Sequence, residues 1–479
     1  MAAPLLTSGA AVLDGREAGR LSRGIGTALA RARARGAGVL VAHTFAVARD
    51  ADPAAIAFAA RRPGEPLFCF EQPDGGGASL AGLGAVHTLE ATGRERFDEV
   101  AAAWRELAAG AVAGGAEGLR GAGPVAVGGF AFAPAGGRSP QWSGYPPASL
   151  VVPEAALARR DGKVRLTLAA VVAPDDTVDE VASRLERRAG ELGPAALPLL
   201  DPAPAASARI VGAAPPEHYE SAVARAVERI RAGDLEKVVL AREVAVHAGE
   251  PHDPAAIFGV LREAFGSCFV FCVARGDSAF VAASPELLVR REGQRASTVA
   301  LAGSARRSAD PAVDDHLGEQ LLRSAKDREE QTIVARRIAA TLRPRSVWVA
   351  APGEPVLARM ANIQHLATPI RAQLAAPIGA VDLAGLLHPT PAVGGEPFAA
   401  ATELIPALEG LDRGWYAGAV GWTDAAEDGE FCVSLRCALL RGRVAHCYAG
   451  VGVVRDSEPP AELAETEVKL QALLPVLAG

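Results

Sequence analysis

Lysine occurs only four times in this chain, at positions 163, 237, 326 and 469, although Lys and Arg together number 49. Arginine keeps its proton at any physiological pH, whereas a buried lysine can give its proton up and act as a base, so the two are not interchangeable where a proton moves. Lys237 and Lys469 are therefore candidates for proton-transfer chemistry. The plainer account is coding bias in an Ala-, Arg- and Gly-rich chain, which explains why lysine is scarce but not where the four remain.

Carboxylates gather near these lysines. Between Gly318 and Leu342, read as one helix, Leu322, Ile333, Val334 and Ile338 share a stripe that also contains Glu330. After Pro459-Pro460, which suit a first helical turn, Glu462, Glu465 and Lys469 fall at i, i+3 and i+7 on one narrow arc. A core-facing carboxylate is costly unless paired or bound to a metal. Three glutamates from two helices suit a hard cation, and Mg²⁺ prefers carboxylate oxygen, keeps part of its water and bridges to an anionic substrate. Neither HExxH nor paired cysteine spacing is present for zinc. The residues alone leave a second reading open, in which Lys326 with Glu330 and Glu465 with Lys469 are ordinary i, i+4 salt bridges.

Gly450-Val451-Gly452 is half of a dinucleotide fingerprint, but Arg455 stands where the third glycine belongs and no GK[ST] phosphate loop occurs, so nucleotide binding is discounted. The nine histidines are scattered, and only His365 has a motif-like setting.

The elements that must position these groups are readable in outline. Helical periodicity over Glu217 to Ala232 stops at Gly233, and a strand Lys237 to Val246 follows. Cys268 to Ala274 and Ala279 to Ala283 flank a turn composition and predict an antiparallel hairpin leading into Ser284-Pro285-Glu286. Upstream, a helix over Glu95 to Ala109 and apolar runs at Val125 to Ala133 and Val164 to Ala173 indicate an α+β layer. The Pro- and Ala-rich stretch from Pro194 to Pro216 reads as a connector between an N-terminal region, 1–205, and the part that carries the chemistry, 206–479.

The 479 residues, 49% hydrophobic, can bury a large core, and a formal charge of −7 without single-sign blocks argues against nucleic acid as a partner. Arg31, Arg33 and Arg35 are expected on a solvated helix face. The six cysteines, at 69, 268, 272, 432, 437 and 447, are expected to be buried thiols in a reducing compartment. No basic residue precedes Arg16, and apolar stretches such as Ala122 to Gly137 are broken by Gly and Pro, so no leader, no membrane span and a cytoplasmic location are expected.

The motifs also have an order. Gly233-Asp234 and Lys237 to Arg242 are followed by Ser284-Pro285-Glu286-Leu287-Leu288, Leu301-Ala302-Gly303-Ser304 and Lys326-Asp327-Arg328-Glu329-Glu330. Then come Gln364-His365-Leu366, His388-Pro389-Thr390-Pro391-Ala392, Gly414-Trp415-Tyr416-Ala417-Gly418 and Glu462 through Lys469. Over roughly Glu217 to Leu474 the chain resembles the chorismate-utilising enzymes, which include isochorismate, salicylate, anthranilate and aminodeoxychorismate synthases. The resemblance implies an α+β fold like that of anthranilate synthase component I, with large antiparallel sheets packed as a sandwich, helices outside and the N-terminal region on the same body.

It also implies roles. Lys237 would be the base that activates water for attack at C2 of chorismate, and Glu286 the acid that protonates the departing C4 hydroxyl. Glu330 and Glu465 would hold Mg²⁺ against the ring carboxylate, with Glu462 and Asp327 supporting it through water. Tyr416 and Arg436 would grip the enolpyruvyl carboxylate. Gly303, Ser304, Gly450 and Gly452 would let backbone groups approach the substrate, with His365 and Ala392 beside it and Lys469 near the metal. A dianion held by one metal and one planar guanidinium is chemically sensible.

Within the family, Ala302 stands where the covalent route of aminodeoxychorismate synthases needs a lysine. Lys237 disfavours ammonia-using anthranilate synthases, and Thr7 breaks the LLES-like pattern of their feedback site, so no glutaminase subunit is expected. Ala392, where salicylate and anthranilate synthases usually carry threonine, points to an isochorismate synthase serving menaquinone or siderophore synthesis, as a monomer or weak homodimer. Ala300 and Gln331 depart from the usual proline and histidine without removing a charge the mechanism needs. The alternatives are a salicylate synthase that also eliminates pyruvate, and a chorismate-binding protein without turnover.

Overall fold

In the computed structural model the described residues are 15–115, 118–201 and 208–478. Thr7 and the 205/206 boundary lie outside them. The β-branched, apolar runs of both halves become strands, and among the described residues these form one sheet of 13 strands and one of 10. Every described pairing is antiparallel except that of Val39–Val47 with Val112–Gly115. The fold is α+β.

The halves are interleaved rather than placed side by side. Leu67–Gln72, from the N-terminal region, pairs with Phe269–Arg275, and Val125–Phe130 pairs with Ala419–Asp424. Period-2 alternation then buries side chains on both faces of the larger sheet. Phe70, Phe271 and Phe280 share a core with Phe130, Val289 and Phe431 of the smaller sheet. Phe271 and Phe280 are fully buried, which stabilises the sandwich by about 1.5–3 kcal/mol each. The outer face of the larger sheet, with Val270 and Val281, is covered by helices Gly15–Arg35, Val178–Glu191 and Pro254–Ala264. Arg31, Arg33 and Arg35 are exposed on the first of these, and all six cysteines are buried and unpaired. No described helix is long and apolar enough to cross a membrane.

The predicted hairpin is present as Phe269–Arg275 and Ser278–Ser284, and helix Pro216–Arg231 ends before Gly233, whose φ of +89° suits only glycine. Two expectations need correction. The helix expected over Gly318 to Leu342 is two helices, Pro311–Arg323 and Ala325–Leu342, broken at Ser324. Ser324 leaves the helical region and its Oγ accepts the Asp327 N–H at 3.3 Å, a Ser-x-x-Asp cap that outweighs continued periodicity. The connector is also shorter than expected, because Arg209–Gly212 forms a strand paired with Lys237–His247.

Candidate active site

Two of the points at which the chain crosses between the sheets carry a charged side chain into the site. Ser284 ends a strand of the larger sheet and Leu287 begins one of the smaller, which leaves Pro285-Glu286 as the crossing. Val433 ends a strand of the smaller sheet and Cys437 begins one of the larger, which places Arg436 on the return, with a φ of +49°. The crossings are tied by backbone bonds from Val433 N–H to the Glu286 carbonyl, 3.0 Å, and from Ala283 N–H to the Arg436 carbonyl, 3.1 Å. Glu286 and Arg436 line one cavity of about 610 Å³, open at its mouth.

Burial pushes the Glu286 carboxyl up to about 8, with Lys237 the principal charge opposing that rise. The nearest donor to Glu286 is Thr390 Oγ1, 3.5 Å from Oε1. Glu286 is therefore a neutral acid at neutral pH, able to give a proton.

Lys237 is wholly buried at the start of strand Lys237–His247, and its Nζ lies 2.8 Å from Glu330 Oε1. This contact passes over Gly452, where an added Cβ would stand 2.1 Å from Glu330 Oε1 and 2.8 Å from Lys237 Cε. Glu330 also accepts the Gly303 N–H at 3.2 Å. Gly303 sits at a register shift between Ala302 and Ser304, with φ +70°, so its backbone groups leave the ladder and face side chains instead. Its carbonyl is 3.0 Å from His365 Nδ1.

His365 Nε2 is 3.2 Å from an Arg436 guanidinium nitrogen, which can only donate. Nε2 must accept, so Nδ1 carries the ring proton and donates it to Gly303 O. Burial holds the ring neutral, lowered to about 3. No carboxylate of the described residues pairs with Arg436, although its surroundings are buried. A guanidinium in that state is a prepared clamp for an incoming carboxylate.

On the opposite wall Glu465 Oε1 accepts from Ser304 Oγ at 2.6 Å and from Lys469 Nζ at 2.8 Å, and these donors hold its carboxyl down at about 2. Lys469 also donates to Gly450 O at 3.0 Å. Lys326 pairs with Glu462 across helices at 2.5 Å, while Asp327 bonds Ser324 and lies against Gly303. Of the two along-helix pairs considered from spacing, Glu465 with Lys469 is present, whereas Lys326 and Glu330 each turn to another element. Lys163 is exposed.

Nearly all residues singled out from sequence meet here. Glu286, Glu330, His365, Tyr416 and Arg436 line the cavity, as do Gly303, Ala392, Gly450, Gly452, Glu465 and Lys469. Lys237, Ser304, Asp327 and Glu462 stand directly behind them. Tyr416 stacks on Tyr448, with ring centroids 5.3 Å apart, and Gly450 is where a Cβ would meet the Tyr416 hydroxyl at 2.7 Å.

A profile described as "Chorismate binding enzyme" matches residues 27–478. The chain belongs to that family.

As a chorismate-binding enzyme it is 37% identical over 470 residues to the "Salicylate biosynthesis isochorismate synthase" of Pseudomonas aeruginosa, covering 96% of this chain and 94% of that protein. It is 34% identical over 357 residues to isochorismate synthase MenF of Bacillus subtilis, covering 74% and 75%. The solved structure of the menaquinone-specific isochorismate synthase from Escherichia coli matches with a TM-score of 0.76 at 27% identity, over 95% of this chain and 100% of that one. Anthranilate synthase component I from Streptococcus pneumoniae, at 22% identity and a TM-score of 0.59 over 74% of this chain and 81% of that one, shares the fold.

The residues of this chorismate-binding enzyme fit a hard cation by donor type. Glu330, Glu462, Glu465 and Asp327 are close enough to raise one another's charging cost, and Glu462 Oε2 is buried with no hydrogen-bond donor. As the side chains stand, three of these acids face lysines, and among the described residues no three ligating groups converge on one point.

Two contributors were not foreseen. Thr390 faces Glu286. Arg413, buried with Glu409, donates at 2.8 Å to both Val239 O and Val393 O and so fixes strand and loop around Tyr416. The i, i+4 spacing of Glu409 and Arg413 was the available signal for the second; Thr390 had none beyond its place in a motif.

Proposed function

We propose that this chorismate-binding enzyme is an isochorismate synthase, isomerising chorismate by adding water at C2 and expelling the C4 hydroxyl in a Mg²⁺-dependent reaction. The observation that carries this reading is a neutral acid, Glu286, in a cavity whose wall also includes Glu330, with the wholly buried Lys237 directly behind that carboxylate, and an unpaired guanidinium, Arg436, in the same lining.

Lys237, as the free amine, takes a proton from water while the water oxygen bonds to C2. The ring double bonds shift, the C4–O bond breaks, and Glu286 gives its proton to the leaving hydroxyl, which departs as water. One water enters and one leaves; the proton gained by Lys237 and the one lost by Glu286 return through solvent. Each proton transfer contributes about 10² to 10⁴ in rate. Arg436, steadied by neutral His365, receives the enolpyruvyl carboxylate beside Tyr416, and the Arg436 clamp keeps C2 and C4 between base and acid.

Charge supports the metal. With Lys237 as the free amine, Lys326, Lys469 and Arg436 supply three positive charges against the four carboxylates Glu330, Glu462, Glu465 and Asp327, so a chorismate dianion would add to an already uncompensated negative site. Mg²⁺ held by Glu330 and Glu465, with Glu462 and Asp327 behind, would neutralise the ring carboxylate and orient it. The names of the relatives above support isochorismate formation, and Ala392, small and at the cavity wall, is consistent with it.

Running the reaction in ¹⁸O-water tests the chemistry: the label is expected on C2 of isochorismate. Product carrying only the original chorismate oxygens would refute water addition.

A further inference from the structure

Among the described residues one side chain donates to the Glu286 carboxyl, and it does so from behind. Thr390 Oγ1 lies 3.5 Å from Glu286 Oε1. Yet Thr390 is absent from the wall of the chorismate cavity and borders a separate cleft of about 720 Å³, shared with Ile338 and Thr341 of helix Ala325–Leu342.

Thr390 is pinned. Its carbonyl accepts the N–H groups of Val393 at 3.1 Å and Gly394 at 2.9 Å, and the Gly394 carbonyl accepts Val239 N–H at 2.7 Å, which ties this loop to the strand that begins at Lys237. The Ala392 N–H donates to Thr390 Oγ1 at 3.3 Å. The hydroxyl accepts there, so its one hydrogen is left to give, and the acceptor within reach is Glu286 Oε1. Glu286 is held on its own side, its N–H on Ser284 Oγ at 3.3 Å and its carbonyl on Val433 N–H. Two anchored backbones therefore fix the distance between hydroxyl and carboxyl.

A neutral carboxyl has one oxygen that carries the proton and one that only accepts. The oxygen accepting from Thr390 is Oε1, so the proton resides on Oε2. Because Thr390 stands outside the cavity wall, Oε2 is the oxygen on the substrate side. At 3.5 Å the bond is long for a neutral acceptor. Once Oε2 gives its proton away and Glu286 is a carboxylate, the bond becomes charge-assisted, shorter and about twice as strong. An interaction that grows along the reaction raises kcat rather than lowering KM.

We propose that Thr390 is a positioning residue for the acid step: its hydroxyl keeps the Glu286 proton on the oxygen that faces the C4 hydroxyl, and tightens on Oε1 as the carboxylate forms. The inference rests on the reading of Glu286 as the acid. In that step the Oε2–H bond breaks and an O–H bond forms on the departing hydroxyl, while the Thr390 proton stays on Oγ1.

The test compares Thr390→Val, which keeps the shape without the hydroxyl, with Thr390→Ser, which keeps the hydroxyl. Turnover of chorismate with Mg²⁺ is followed across pH, and thermal midpoints are recorded over the same range without substrate. Thr390→Val is expected to lower kcat by about ten- to a hundredfold with KM unchanged. It is also expected to move the high-pH limb of kcat upward, because it removes a bond that favours the charged carboxyl. Lys237, Arg436 and Lys469, the cations that face Glu286 from the other walls, and the Cys432 thiol near it are the same in both variants. Without substrate, the pH window in which Glu286 lowers stability should reach higher in Thr390→Val. Thr390→Ser should restore all of these. A limb that stays at the parent's position would overturn the inference whatever happens to kcat, as would parental kcat in Thr390→Val, a change confined to KM, or an equal loss in Thr390→Ser. Should Thr390→Val fail to fold, Thr390→Ala is read by the same criteria. Absence of turnover in the parent chain would remove the functional reading instead, and the substrate-free midpoints would still decide the contact between Thr390 and Glu286.

Discussion

Lys237 Nζ and Glu330 Oε1 meet 2.8 Å apart over the bare Cα of Gly452. The proposed base and a proposed metal ligand are thus one packed unit, and anything that parts them acts on both.

Gly452→Ala is the mildest way to part them. The added methyl would enter the space of two side-chain ends, and a misplacement of about 1 Å at a reacting group can cost about 10²-fold in rate. Turnover is expected to fall by that order while the thermal midpoint falls only by the equivalent of about 1–3 kcal/mol. Parental kcat in this variant would show that the contact is not needed.

Lys237→Ala removes the base and leaves Glu330 buried without its cation. Chorismate consumption should vanish, and stability should drop by about 3–5 kcal/mol, as when one member of a buried pair is deleted. Adding Glu330→Gln should return part of the stability, read from denaturant midpoints, but none of the turnover. Activity in either variant would remove Lys237 from the mechanism.

Glu286 predicts a pH signature. With its carboxyl raised to about 8, the acid is in its working form below that pH, and kcat should decline as pH rises through about 8. Stability has a related sign: between the unfolded carboxyl value of about 4.3 and about 8 the native state keeps a proton that the unfolded chain releases. This group therefore lowers stability as pH rises across that window, and Glu286→Gln should flatten the dependence while cutting turnover about 10² to 10⁴-fold. A high-pH limb of kcat that stays level, or an unaltered stability profile in the variant, contradicts the assignment.

Metal dependence is read most simply from a magnesium titration of activity. Glu330→Ala and Glu465→Ala should each move the midpoint to higher Mg²⁺ by tenfold or more, since each removes a proposed direct ligand. Curves that overlay the parent's would mean the cation is held elsewhere.

The sequence carried much of this site because its chemistry is written in residue types that composition makes rare or costly: four lysines in an arginine-rich chain, and a glutamate within an apolar stripe. Spacing could not show where those charges turn. An i, i+4 pattern reports only neighbours along one helix, so the cross-element pairs Lys237–Glu330 and Lys326–Glu462 were invisible. The break at Ser324 was written in its Ser-x-x-Asp cap but masked by apolar periodicity on both sides. Strand order was the least legible feature: Leu67–Gln72 lies beside Phe269–Arg275 through contacts about two hundred residues apart, which no local pattern encodes.

The most direct test is to identify the products when the full chain is given chorismate and Mg²⁺. The account predicts that isochorismate accumulates as chorismate disappears, without matching release of pyruvate. Pyruvate appearing at the rate of chorismate loss, or tight chorismate binding with no turnover, would contradict it.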